Sequence, residues 1–166
     1  MLQREMLRSL QSQSTWRLLG LGIITYGVYY AHYCAKQTRI INSGLMEDRR
    51  IPGGFIGAIL VLSYASLVLF FGYLFVDESH PVAIISNLAD KVWIILMLAW
   101  GFYARSRMNE VSGITKHDAQ WFDGLWTLLF TPLYFNYKVN VLNESLWGAE
   151  AAVQRNQTLE INGGNS

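Results

Sequence analysis

The residue types that could do chemistry in this chain are few, and their spacing does not bring them together. His32 and Cys34 stand two positions apart, which points them to different faces of a helix. A metal site usually needs three or four converging ligands, so this pair predicts none. His117 and Asp118, with Glu110 before them, could be drawn as an acid–base pair, but a solvated loop explains them better.

Recognised catalytic motifs are also absent from the sequence. It contains no Ser-His-Asp order, no glycine loop that cradles phosphate and no zincin motif. We therefore expect a protein that is not an enzyme and that uses no cofactor and no metal. The single cysteine excludes an internal disulfide. The net charge of +1 lacks the basic excess that nucleic-acid binding requires.

Asp90 and Lys91 form a possible polar site inside an otherwise apolar segment. An intramembrane carboxylate is costly and often marks a path for ions or protons. The alternative is that Lys91 or the membrane surface satisfies Asp90, which would then have no functional role.

The composition of the chain indicates that the segments that position these residues are embedded in a membrane. Hydrophobic residues make up 52% of the 166 residues and charged residues only 15%, against about 25% in an ordinary soluble domain. Four segments are apolar: 16–34, 55–76, 84–104 and 121–137. Since a helix that crosses the hydrocarbon core needs about twenty apolar residues, the charge-free segment 55–76 qualifies on length alone.

The two ends of the chain are polar. Residues 1–15 carry Leu2, Met6, Leu7 and Leu10 at helical spacing, which predicts a short amphipathic helix in the headgroup region, or else a solvated tail. Residues 148–166 are rich in glycine and asparagine, a composition that predicts a disordered polar tail. Residues 1–147 are thus expected to form a single membrane domain.

The distribution of basic residues selects the number of spans. If all four apolar segments crossed the membrane, six Lys and Arg residues would lie on one side and seven on the other. If only 55–76 and 84–104 cross, all thirteen except Lys91 lie on one side. Because basic residues accumulate on the cytoplasmic side, the sequence predicts a two-helix hairpin with both termini in the cytoplasm.

The outer segments, 16–34 and 121–137, are expected to be embedded without crossing. The first contains three glycines, and the second contains Asp123 and Pro132. Such segments can dip into the membrane and return, or lie at its surface. They also share an order of residue types, Trp, Leu-Leu, Thr, then Gly27 in one and Pro132 in the other. This order indicates either an internal duplication or the recurrence of aromatic and lysine anchors that membrane proteins share.

Segment one carries the strongest likeness to known proteins. It reads Trp16-Arg-Leu-Leu-Gly-Leu-Gly-Ile-Ile-Thr-Tyr-Gly-Val-Tyr-Tyr and closes with Ile41-Asn42. This string resembles a family of small bacterial membrane proteins, known chiefly as a domain of unknown function, with a Trp…Leu-Leu…Ile-Thr-x-Gly-Ile-Tyr…Leu-Asn signature. The resemblance implies a multi-pass protein of the bacterial cytoplasmic membrane, and it carries over no catalytic residue.

Small residues form a stripe along the first predicted span. Gly53 and Gly57, with Ala58 and Ala65, recur at a spacing that lets two membrane helices approach closely. The alternative is that glycine is simply common in membrane helices. We predict that the stripe is a helix-packing surface.

The sequence therefore predicts an all-α membrane protein, a transmembrane hairpin with two shorter embedded segments. Its predicted function is that of a small accessory or scaffold subunit, which forms oligomers or binds a larger membrane protein. The alternative is a small homo-oligomeric channel or transporter component. Apart from the lipid bilayer, we expect itself or a larger membrane protein as partner, and no nucleic acid.

Overall fold

A computed structural model describes residues 2–10, 13–113, 115–118 and 121–163 of the chain. Within these ranges the chain is helical and contains no strand, which confirms the all-helical prediction. The helices are α1 (Leu2–Ser9), α2 (Thr15–Ile24), α3 (Val28–Ser43), α4 (Gly53–Tyr73), α5 (Pro81–Ser112) and α6 (Gly124–Gly163), with a 3-10 turn at Glu47–Arg49.

Two of these helices, α4 and α5, are long and apolar enough to cross a membrane by length and composition. Their 21 and 32 residues correspond to about 31 and 48 Å of helix. The predicted spans 55–76 and 84–104 fall largely within them. Helix α5 begins three residues earlier and ends eight residues later than its predicted span, because His80 and Pro81 provide a helix start and Gly113 adopts the left-handed conformation that ends it.

Helices α4 and α5 pack antiparallel along their whole shared length. At one end a Cβ built on Gly72 would lie 3.3 Å from Val82 Cγ1. Further along, the rings of Phe55 and Tyr103 meet edge to face, with centroids 5.6 Å apart.

An exposed ion pair lies at the far end of this helix pair. Arg49 Nη2 donates to Glu110 Oε1 at 2.7 Å, and this hydrogen bond holds the pKa of the Glu110 carboxyl below its ordinary value. Both side chains are exposed, so the pair adds little to stability.

Helices α2 and α3 are the two arms of a helical hairpin. The chain turns at Thr25–Gly27, where Tyr26 and Gly27 both have positive φ, 49° and 85°. The Tyr29 hydroxyl in α3 donates to Gln13 Oε1 at 2.9 Å. In a straight helix these two residues would be about 24 Å apart, so the arms must run antiparallel.

Helix α6 contains a second reversal. Thr131 has φ 2° and ψ −92°, values outside the helical region, and Pro132 follows it. The Asp123 backbone N–H donates to the Tyr134 hydroxyl at 3.0 Å, and the rings of Phe122 and Phe135 lie 5.4 Å apart. These contacts divide α6 into two antiparallel arms, 124–130 and 132–163.

The two reversals of the chain fall at matching positions. These are the positions that align when the residue types of segments 16–34 and 121–137 are compared. The turn after α2 occupies Thr25 to Gly27, and the turn inside α6 occupies Thr131 and Pro132. Glycine permits the left-handed backbone of the first turn. Proline removes the N–H that would continue the second helix.

Three segments differ from the sequence-based expectation. Segment 16–34 was expected to end at Cys34, but α3 continues to Ser43 because its polar residues Gln37 and Thr38 are buried in the protein. The tail expected to be disordered is helical to Gly163, since its alanines and long unbranched side chains favour helix. The predicted amphipathic helix is present as α1, but Met6 and Leu7 in it and Leu10 just after it are buried in the protein core and do not present an apolar face to a headgroup region.

The core of the protein lies between α3, α5 and the longer arm of α6. Trp100 is fully buried there against Phe135, and its indole Nε1 donates to Thr38 Oγ1 at 2.8 Å. Asn136 is also fully buried. It accepts from the Tyr33 hydroxyl and donates to the Gln13 carbonyl, so it joins both hairpins.

Candidate functional site

The turn of the α2–α3 hairpin lies against α4 and α5 and borders an open cavity of about 370 Å³. Glycines, aromatic rings and aliphatic side chains make up most of its wall, and one carboxylate belongs to it. The lining residues are Gly22, Ile23, Tyr26, Gly27, Tyr30, Ser66, Asp90, Trp93 and Ile94.

Asp90 is held by the hairpin turn. The Tyr26 hydroxyl donates to Asp90 Oδ2 at 2.8 Å. The sequence offered Lys91 or the membrane surface as the partner of this carboxylate. In the part of the chain that the structure describes, no basic side chain lies within ion-pair distance of Asp90, and Lys91 is exposed.

Asp90 also lies deeper along the helix pair than the sequence indicated. It lines the cavity together with Ser66 of α4, which stands seven residues before the end of that helix at Tyr73. Seven residues of helix rise about 10 Å, so the carboxylate is well inside the length of α4 and away from its end.

Close contacts between glycines and aromatic rings build the cavity wall. A Cβ on Gly27 would lie 2.8 Å from the Trp93 indole, and a Cβ on Gly22 would overlap the Tyr30 ring. The Tyr26 ring stacks on Phe70 of α4 with centroids 4.4 Å apart. The two glycines therefore let the hairpin approach α5 and its own second arm closely enough to fix these rings.

Two polar atoms of the wall have no hydrogen-bond partner within the described residues. These are Ser66 Oγ and Trp93 Nε1, both buried. Ser66 is 3% exposed, so an unmatched hydroxyl there costs free energy. Chemically, the cavity offers one carboxylate, that of Asp90, and the side chains of three aromatic residues, Tyr26, Tyr30 and Trp93.

The other residues considered from the sequence have structural roles or remain apart. His32 Nε2 lies 2.7 Å from the Tyr64 hydroxyl, while Cys34 is fully buried. Asp118 Oδ2 accepts from the Thr115 backbone N–H at 2.7 Å, within its own loop. Among the described residues, no group of three His, Cys, Asp or Glu side chains could hold a metal ion.

The small-residue stripe faces away from the rest of the protein. A Cβ on Gly53 or Gly57 would meet nothing within 4 Å, and Ala58 is exposed. Ala65 is half-buried. No described helix of this chain covers the stripe, so its role in helix packing stays a prediction about another chain.

The sequence reasoning missed Tyr26, Ser66 and Trp93 as residues of the site. Tyr26 and Ser66 stand 64 and 24 positions from Asp90, and nothing in a single sequence pairs such positions, whereas Trp93, three positions after Asp90, shares its helix face. The glycine at 27 was a usable signal, because it marks a turn that can place the preceding tyrosine beside another helix. No family model, curated protein or solved structure matches the chain.

Proposed function

We propose that this chain is a small integral membrane protein of the bacterial cytoplasmic membrane, with α4 and α5 as its transmembrane hairpin. Only 22% and 17% of the apolar stretches of these helices are buried, whereas the core helix of a soluble protein is mostly buried. Large apolar side chains cover the outside of the hairpin, among them Val61, Val68, Phe71, Ile84, Ile85, Leu88, Ile94 and Ile95. A lipid environment accounts for this exposure.

The α2–α3 hairpin and the α6 hairpin enter the membrane from the side on which the termini lie, and they return to the same side. Each has one arm too short to cross, since α2 has 10 residues and the first arm of α6 spans 124–130. The α2–α3 turn packs against α4 and α5, and the α6 turn packs against Gly101 of α5, as irregular backbone at membrane depth requires. With this arrangement, all basic residues except Lys91 face the cytoplasm, as the positive-inside rule favours.

Its function, in this proposal, is that of an accessory or scaffold subunit that associates through the outer face of α4. The observation that carries the proposal is the uncovered stripe of small residues, Gly53, Gly57 and Ala58. Val61 continues the stripe and is 71% exposed. Small side chains on one helix face allow close backbone approach and dispersion contacts between membrane helices. A second copy of the chain or a helix of a larger membrane protein fits this face.

Gly57→Leu tests the association. The leucine fills the space where a second helix would approach, so we expect the assembly to fall apart or shrink in size-exclusion chromatography with light scattering in mild detergent. Gly20→Leu is the matched control, because a Cβ on Gly20 also meets nothing within 4 Å and Gly20 lies on α2. An unchanged assembly in Gly57→Leu means that the stripe faces lipid and disproves the proposal.

A channel or transporter component is the second candidate, and Asp90 favours it. A carboxylate inside the length of a span is the residue type that ion and proton paths use. Against it, the buried polar residues of α4 are only Ser63 and Ser66, which do not form a continuous polar path. We expect vesicles reconstituted with the protein to show background ion flux. Flux that disappears in Asp90→Asn would favour the channel.

A further inference from the structure

We infer that the cavity at the α2–α3 turn is a binding site for an organic cation with an apolar body, such as a quaternary or protonated amine or a phosphonium. The inference goes beyond the proposed association, because the cavity lies within one chain, away from the α4 stripe.

The charge of the ligand follows from Asp90. Its carboxylate is the acidic group of the cavity wall, and no basic side chain of the described residues lies within ion-pair distance of it. Tyr26 fixes its position through a single hydrogen bond. A carboxylate in apolar surroundings attracts a cation more strongly than one in water.

The organic nature of the ligand follows from the rest of the wall. Tyr26, Tyr30 and Trp93 contribute aromatic rings, and cations bind to the faces of such rings, with tryptophan the strongest. A hard metal cation would need about six oxygen ligands, which one carboxylate and a few hydroxyls do not supply. A cavity of about 370 Å³ accommodates a small organic molecule instead.

The cavity reaches the outer surface of the protein. Ile23 and Ile94 belong to its wall, and they are 68% and 52% exposed. In the proposed membrane arrangement this opening meets lipid, so a ligand that partitions into the bilayer has access. The headgroup of a lipid would have to descend about 10 Å below the end of α4 to reach Asp90, which favours a free lipophilic cation over a lipid amine.

The test compares two ions of the same shape and opposite charge. We expect tetraphenylphosphonium to bind the purified full chain saturably, one per chain, in isothermal titration calorimetry above the detergent blank. Tetraphenylborate should show no saturable binding. Asp90→Asn should weaken phosphonium binding about tenfold or more, as expected for loss of one charged partner. Asp90→Glu should retain most of it.

Asp77→Asn is the control, because Asp77 is an exposed carboxylate outside the cavity. Equal phosphonium affinity in Asp77→Asn and Asp90→Asn, or equal binding of the two ions, overturns the inference. If Asp90→Asn does not yield a folded protein, Trp93→Leu decides instead, since it removes an aromatic face and keeps the charge. A several-fold loss of phosphonium affinity in Trp93→Leu supports the site, and an unchanged affinity contradicts it. Assembly size, read in the same samples, reports on the α4 stripe independently.

Discussion

Substituting Gly27 by alanine tests the turn that builds both the α2–α3 hairpin and the cavity. Two costs add at this position. The backbone has φ +85°, a conformation that costs an L-residue about 1–2 kcal/mol. The new Cβ would also lie 2.8 Å from the Trp93 indole, closer than a real Cβ tolerates. Displacing a packed ring costs about 1–3 kcal/mol more.

Gly113→Ala separates the two costs. Gly113 has φ +63°, but a Cβ there meets nothing within 4 Å, so this variant carries the backbone cost alone. We expect thermal unfolding in detergent to show a lower midpoint for both variants. Gly27→Ala should lie below Gly113→Ala by roughly 2–4 °C for each additional kcal/mol.

Two outcomes of this comparison would contradict the described turn. If the two variants unfold at the same temperature, Trp93 does not pack against the hairpin turn. The cavity would then lack the wall that the structure gives it. A Gly27→Ala protein as stable as the parent would mean that the chain does not reverse at this residue.

Two further predictions concern topology and the polar core. Single cysteines are introduced in a Cys34→Ala background at Leu45, Ser79, Gly113 and Glu160. A membrane-impermeant maleimide added to intact cells should label position 79 alone, and labelling at 45 or 113 would contradict the two-span hairpin. Asn136→Ala leaves the buried Tyr33 hydroxyl without its acceptor and removes one of the two bonds to the Gln13 carbonyl, so we expect it to lower stability by about 1–3 kcal/mol. Asn140→Ala, which removes one bond to the Gln13 carbonyl, should cost less in the same unfolding assay, and an equal cost would refute the special role of Asn136.

The sequence was sufficient for the two long apolar helices and for the residues at which the shorter segments reverse, but not for the helical tail or the continuation of α3 to Ser43. A charge-free run identifies α4, and Gly27 and Pro132 mark the two reversals because their backbone chemistry disfavours a continuous helix. Single-residue chemistry of this kind is local, so it can be recognised without knowledge of the fold.

The sequence was not sufficient for contacts between distant positions. Hydropathy ended segment one at Cys34 because polar residues follow. Thr38 is nevertheless buried, and its hydroxyl accepts a hydrogen bond from Trp100, 62 positions away. In the same way, the neighbour Lys91 seemed the natural partner of Asp90, but Tyr26 fills that role across 64 positions. Only the packing of the hairpin against α5 brings these groups together.

Photo-crosslinking from the outer face of α4 tests the central claim of association most directly. Ala58→Cys in a Cys34→Ala background is modified with a benzophenone maleimide and irradiated in native membranes. The matched control is Ile95→Cys, an outward-facing position on α5 that meets lipid in the proposed arrangement and is 63% exposed in the structure. We predict a protein adduct from position 58, at the mass of two copies or of one larger partner, and only lipid adducts from position 95. Lipid adducts alone from position 58 would contradict the account.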